Sequence, residues 1–97
     1  MRPSEVLEKN RQAIREATRR FNAANPRVFG SVARGEDRPD SDIDILVDPL
    51  PGTTLFDLGG LLEELEQMMK PTPIHLVLPG DFPEEVRKRV LSEARPV

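Results

Sequence analysis

"GSVARGEDRPDSDIDILVD", residues 30–48, decides how this chain is read. A strand-like "RVF" (27–29) runs into Gly30-Ser31, a polar loop "EDRPDS" intervenes, and "DIDILVD" (42–48) resumes as a strand by its alternation and β-branched content. Residues i and i+2 of a strand share a face, so Asp42 and Asp44 project together, roughly 6–7 Å apart along the backbone. Ile43, Ile45 and Val47 take the opposite face, where a helix can cover them. Acidic groups this close repel, and burying either one costs free energy without a positive partner. Such pairs share a proton or hold a cation. The Gly-Ser turn adds weight to the cation. A glycine at a strand end lets backbone N–H groups approach phosphate, serine adds a hydroxyl donor, and a helical turn over "SVAR" favours an anion at its start. Phosphate on one side and carboxylate on the other are bridged naturally by Mg²⁺.

Rival motifs fail on particular residues. "GSVARGED" has the glycine spacing of a P-loop, but Glu36 and Asp37 stand where Lys and Ser/Thr are needed and would repel phosphate. Asp40, Asp42 and Asp44 resemble the start of an EF-hand loop, yet Ile45 replaces its obligatory glycine and Pro51 its bidentate glutamate. Two acids adjacent on one strand cannot readily flank a sugar, which removes a glycosidase pair.

Outward from this stretch, prolines punctuate the chain. Pro3 opens a helix over "SEVLEKNRQAIREATRRFNA", with Val6, Leu7, Ile14, Ala17 and Phe21 at helical spacing and "NP" (25–26) as its stop. Arg11, Arg15 and Arg19 form a ladder on another side, read as solvated. "TTLFDLGGLLEELEQMMK" is a second long helix, with Leu55, Leu58, Leu62, Leu65 and Met69 as its core side; Gly59 and Gly60 weaken it or admit a close neighbour. "IHLVL" is a third strand, "PGD" a turn, and "FPEEVRKRVLSEARP" a last helix. The order α-β-(α)-β-α-β-α predicts an α/β or α+β layer fold: a short mixed sheet of three or more strands packed with helices.

The 97 residues suit a single domain, residues 1–97, with one core. Cysteine is absent, which excludes disulfides and thiolate metal sites. "MRPSEVLEKN" lacks an apolar signal core and no apolar run reaches membrane-spanning length, so the expected location is cytoplasmic. A net charge of −3 argues against direct nucleic-acid binding. The charge is uneven: +4 over residues 1–38 and −7 over residues 39–97. That asymmetry suits a polyanion held near a metal, and also an ordinary solvated surface, the commoner meaning of a charge run taken alone.

Gly30-Ser31, ten residues, then Asp42-x-Asp44 resembles the signature of the polymerase-β-like nucleotidyltransferase superfamily. The run "GSVARGEDRPDSDIDILV" looks like its smallest members, the minimal nucleotidyltransferases, commonly the antitoxin partners of HEPN-domain toxins. The likeness continues through "LFDLGGLLEELEQ", the third strand and "LSEARPV", and so spans nearly the whole chain. It implies that Gly30 and Ser31 hold a nucleoside triphosphate, with Arg34 bracing the loop or touching phosphate; a plain structural ion pair with a nearby acid is the other reading of Arg34. Asp42 and Asp44 would bind Mg²⁺ or Mn²⁺. The implied reaction transfers a nucleoside monophosphate, AMP from ATP in the first instance, to a hydroxyl of a protein partner such as a HEPN toxin. The family expects a third carboxylate on the next strand, where this chain has His75 in "IHLV". A neutral imidazole can act as a base but is a poor Mg²⁺ ligand. His75 thus stands as a candidate catalytic base. The alternative is a nucleotide-binding or toxin-neutralising module with weakened or lost catalysis.

Overall fold

The computed structural model describes all residues, 1–97. The elements are α1 (Pro3–Arg20), β1 (Ala23–Phe29), α2 (Gly30–Arg34), β2 (Ile43–Pro49), α3 (Leu55–Met69), β3 (Ile74–Val77), α4 (Glu84–Glu93) and β4 (Arg95–Pro96), with a 3₁₀ turn over Pro79–Asp81. The sheet order is β3-β2-β1-β4. β1 runs antiparallel to β2 and β4, while β2 and β3 are parallel. The expected α+β layer fold with a mixed sheet is therefore present, with β4 as an added edge strand. No helix is long and apolar enough to cross a membrane.

One face of the sheet carries the main core. Ile43, Ile45 and Val47 of β2 are fully buried there with Val28 of β1, beneath Leu7, Ile14 and Ala17 of α1 and Leu61, Leu65 and Met69 of α3. The β2 alternation anticipated this face. On α3 the stripe differs from expectation: Leu61, Leu65 and Met69 are buried, whereas Leu55 is 87% exposed. The reason is where the helix starts. Thr54 and Asp57 cap each other reciprocally, which places Leu55 in the first turn, beyond the edge of the core.

The end of α1 also differs. The helix stops at Arg20, with Asn22 in the left-handed region at φ 59°, and β1 begins before Asn25-Pro26. Those two residues lie inside the strand, at a shift in its register with β2 between Ala24 and Arg27. The arginine ladder is not simply solvated. Arg11 and Arg15 donate to the Val97 carbonyl oxygen at 3.2 and 2.6 Å, tying β4 and its neighbour to α1.

The two helix glycines separate cleanly. A Cβ on Gly60 would lie 2.5 Å from the Phe21 ring, while one on Gly59 would meet nothing within 4 Å. Gly60→Ala is expected to destabilise by about 1–3 kcal/mol through overpacking. Gly59→Ala should stabilise by roughly 0.5–1 kcal/mol through helix propensity. Chemical denaturation of the two variants checks the pair, and equal effects would contradict it.

A buried carboxylate anchors the loop that leads to β2. Asp37 is only 4% exposed and accepts the Ser4 backbone N–H at 2.9 Å, capping α1 from a distance. The Arg2 guanidinium donates to its carboxylate at 3.2 Å and to its backbone carbonyl at 2.8 Å. Burial alone would raise the Asp37 carboxyl, but the Ser4 bonds and the Arg2 charge outweigh it and hold the group below the usual range. A depressed carboxyl contributes stability above its unfolded value and loses it as pH falls through its folded value. Asp37→Asn is therefore expected to cost about 2 kcal/mol at neutral pH. The gap from the native protein should close in strong acid, and urea titrations at the two pH values test this.

Candidate active site

The second face of the sheet is only partly covered. Phe29 meets Phe82 edge-on at 6.0 Å, and Leu46 is fully buried on this side. Beyond them the face opens into a cleft of about 490 Å³ with no hydrophobic lining residue. Gly30, Ser31, Arg34, Asp42, Asp44 and His75, the six residues singled out in the sequence, all line it. Asp40 and Ser41 complete the wall.

The sheet register brings them together. Asp44 is the partner of Phe29 on one side and of His75 on the other, so the three side chains share a face. Asp42 lies one residue before β2 rather than inside it. Its carboxylate nevertheless converges with that of Asp44 on a single imidazole. His75 Nδ1 is 3.1 Å from Asp44 Oδ1, and His75 Nε2 is 3.3 Å from Asp42 Oδ2. A protonated ring can donate to both carboxylates; a neutral ring donates to one and turns a lone pair toward the other. Burial pushes the Asp44 carboxyl up, His75 opposes that, and the nearby Asp42 charge adds to it.

Gly30 makes the close approach possible. It sits at φ 71°, and a Cβ there would collide with Asp44 Oδ2. Only glycine lets this backbone lie against the carboxylate. The short helix α2 then runs to Gly35, whose left-handed φ of 72° closes it.

Other acids are engaged elsewhere. Asp48 bonds Arg27 at 2.6 Å, and Asp81 accepts the Leu78 backbone N–H at 2.8 Å. No third carboxylate joins Asp42 and Asp44 on the β3 side. Two hard oxygen donors without a closed protein cage suit a cation that shares its shell with water and substrate phosphates.

Arg34 is more committed than its sequence position suggests. Its Nε donates to Glu36 at 2.6 Å and its Nη1 to Glu93 at 3.1 Å. The Gly30 backbone N–H also donates to Glu93, at 2.7 Å. These contacts are ion pairs with nearby acids, and the one to Glu93 also ties the loop to α4. The sequence gives Glu93 no role and counts Asp37 only against a P-loop, because nothing local marks an acid that acts across 59 to 63 or 33 to 35 residues.

Comparison with known proteins places the chain in a family. Residues 10–97 match the nucleotidyltransferase domain family. The chain is 35% identical to the protein adenylyltransferase MntA of Thermococcus cleftensis over 91% of its own length and 85% of the relative's. A solved structure assigned as a minimal nucleotidyltransferase superposes with a TM-score of 0.86 at 39% identity, covering 97% of this chain and 95% of the other. A toxin–antitoxin crystal structure with AMP-PNP shares the fold at 20% identity and a TM-score of 0.73, over 90% of this chain and 71% of that one. The chain belongs to the nucleotidyltransferase domain family, among its minimal members, and is a nucleotidyltransferase.

Proposed function

We propose that residues 1–97 act as one domain that transfers AMP from ATP to a hydroxyl of a protein partner in the cytoplasm, and that this partner is a HEPN-domain toxin. The observation that carries the reading is the meeting of Asp42 and Asp44 beside the Gly30-Ser31 turn in one wholly polar cleft. The name of the Thermococcus relative supports adenylyl transfer to protein. The toxin–antitoxin structure of the same fold supports a toxin as partner.

In this reading Asp42 and Asp44 hold Mg²⁺ or Mn²⁺, which supplies charge neutralisation for the triphosphate and for the leaving pyrophosphate. Ser31 binds phosphate oxygen through its hydroxyl. Gly30 gives the backbone room to lie against Asp44. His75, exposed at the cleft, would take the proton of the attacking hydroxyl on a ring nitrogen freed when Asp42 and Asp44 turn from it to the cation. The acceptor oxygen bonds to the α-phosphorus, the α–β bridging bond breaks, and pyrophosphate departs.

A second reading has one observation in its favour: an imidazole stands where a third acid is expected, next to β2. In that case the chain binds nucleotide and restrains its toxin by association alone. The test supplies ATP labelled at the α- or the γ-phosphate to the native protein mixed with a HEPN-domain toxin. Adenylyl transfer puts α-label and no γ-label on the partner. Gamma-label on the partner, or no label in a complex that still restrains the toxin, overturns the first reading.

A further inference from the structure

Glu93 is the last residue of α4, far in sequence from the cleft, yet a single carboxylate grips both ends of α2. Its Oε1 accepts the Gly30 N–H at 2.7 Å. Its two oxygens lie 3.2 and 3.1 Å from Arg34 Nη1. Glu36 takes Arg34 Nε, so Nη2 is the guanidinium nitrogen left without a protein partner.

Two consequences follow from donor bookkeeping. The Gly30 N–H is already spent, so the phosphate-binding capacity of this turn lies with Ser31 and Arg34 Nη2 rather than with the glycine amide. The Gly30 peptide, which presses against Asp44, is also held from behind by an ionised acceptor, the stronger kind of hydrogen bond. A merely structural ion pair with Arg34 would not need the backbone amide.

We infer that Glu93 is a positioning residue for nucleotide binding: it fixes the Gly30 peptide and orients Arg34, so that Ser31 and Nη2 are set for the triphosphate before it arrives. This rests on the nucleotidyltransferase reading of the cleft. Pre-setting donors lowers the ordering cost on binding, so the effect should fall on affinity rather than on the chemical step.

The test is calorimetric titration of a non-hydrolysable ATP analogue with Mg²⁺ into the native protein, Glu93→Ala and Glu93→Gln, with KM and kcat for transfer measured on the same samples. Glu93→Ala should weaken binding and raise KM about tenfold, with kcat changed less than about threefold. Glu93→Gln should recover part of the affinity, because its amide oxygen still accepts the Gly30 N–H while the Arg34 charge goes unmet. Native-like or tighter binding by folded Glu93→Ala overturns the inference, even if its melting temperature falls. Failure of the native protein itself to bind the analogue overturns the nucleotide reading and this inference with it.

Discussion

Asp44→Asn is expected to reduce nucleotidyl transfer about a thousandfold while leaving the fold at least as stable, the range set by removing a key transition-state charge contact. The side chain is 23% exposed and faces the His75 ring and the Gly30 backbone. Asparagine keeps its volume, so packing is preserved, but the charge that would hold a cation is gone. The stability half has a separate origin. Burial raises the Asp44 carboxyl above its unfolded value. A raised carboxyl weakens folding as pH climbs through that window, because the unfolded chain gives up its proton more readily. At neutral pH the native protein bears that cost, and the neutral amide removes it. Transfer rates and thermal melts on one preparation check both halves. A variant that loses activity only because it unfolds would contradict the assignment of Asp44.

Gly30→Ala should have the next largest effect, roughly a hundredfold on transfer, together with a loss of stability. A non-glycine residue at φ 71° costs about 1–2 kcal/mol in backbone strain. The added Cβ also collides with Asp44 Oδ2, so the carboxylate must move out of register with Asp42. Misplacing a reacting group by about 1 Å can cost on the order of a hundredfold. Gly35→Ala is the matched control: its φ is 72°, but a Cβ there meets nothing within 4 Å. It should lose comparable stability and retain transfer. Equal activity losses in the two variants would show that strain alone, and no contact with Asp44, governs the effect.

Local chemistry made much of this molecule readable. The alternation in "DIDILVD" identified the buried face of β2, and the Gly-Ser turn with its paired acids marked residues that do line one cleft. The third strand was placed correctly, with His75 in register with Asp44. What escaped reading depends on partners distant along the chain. The α3 stripe shifted because the Thr54–Asp57 cap, rather than leucine spacing alone, fixes where the helix meets the sheet. Asn25-Pro26 looks like a helix stop, but tertiary pairing absorbs it as an irregularity inside β1. β4 is two residues long, and its pairing with β1 carries no periodic signal. Asp37 and Glu93 belong to the same class: ordinary surface acids by sequence, one buried under Arg2, the other closed on Gly30 and Arg34.

The most direct measurement is the intact mass of the candidate toxin after incubation with MgATP and native protein, Asp44→Asn or His75→Asp. The expected result is a gain of one AMP with the native protein and none with Asp44→Asn, which makes the chain a working adenylyltransferase with an imidazole in the third position. A gain that appears only with His75→Asp would contradict this, and would make the native chain a binding module whose catalytic set is one carboxylate short.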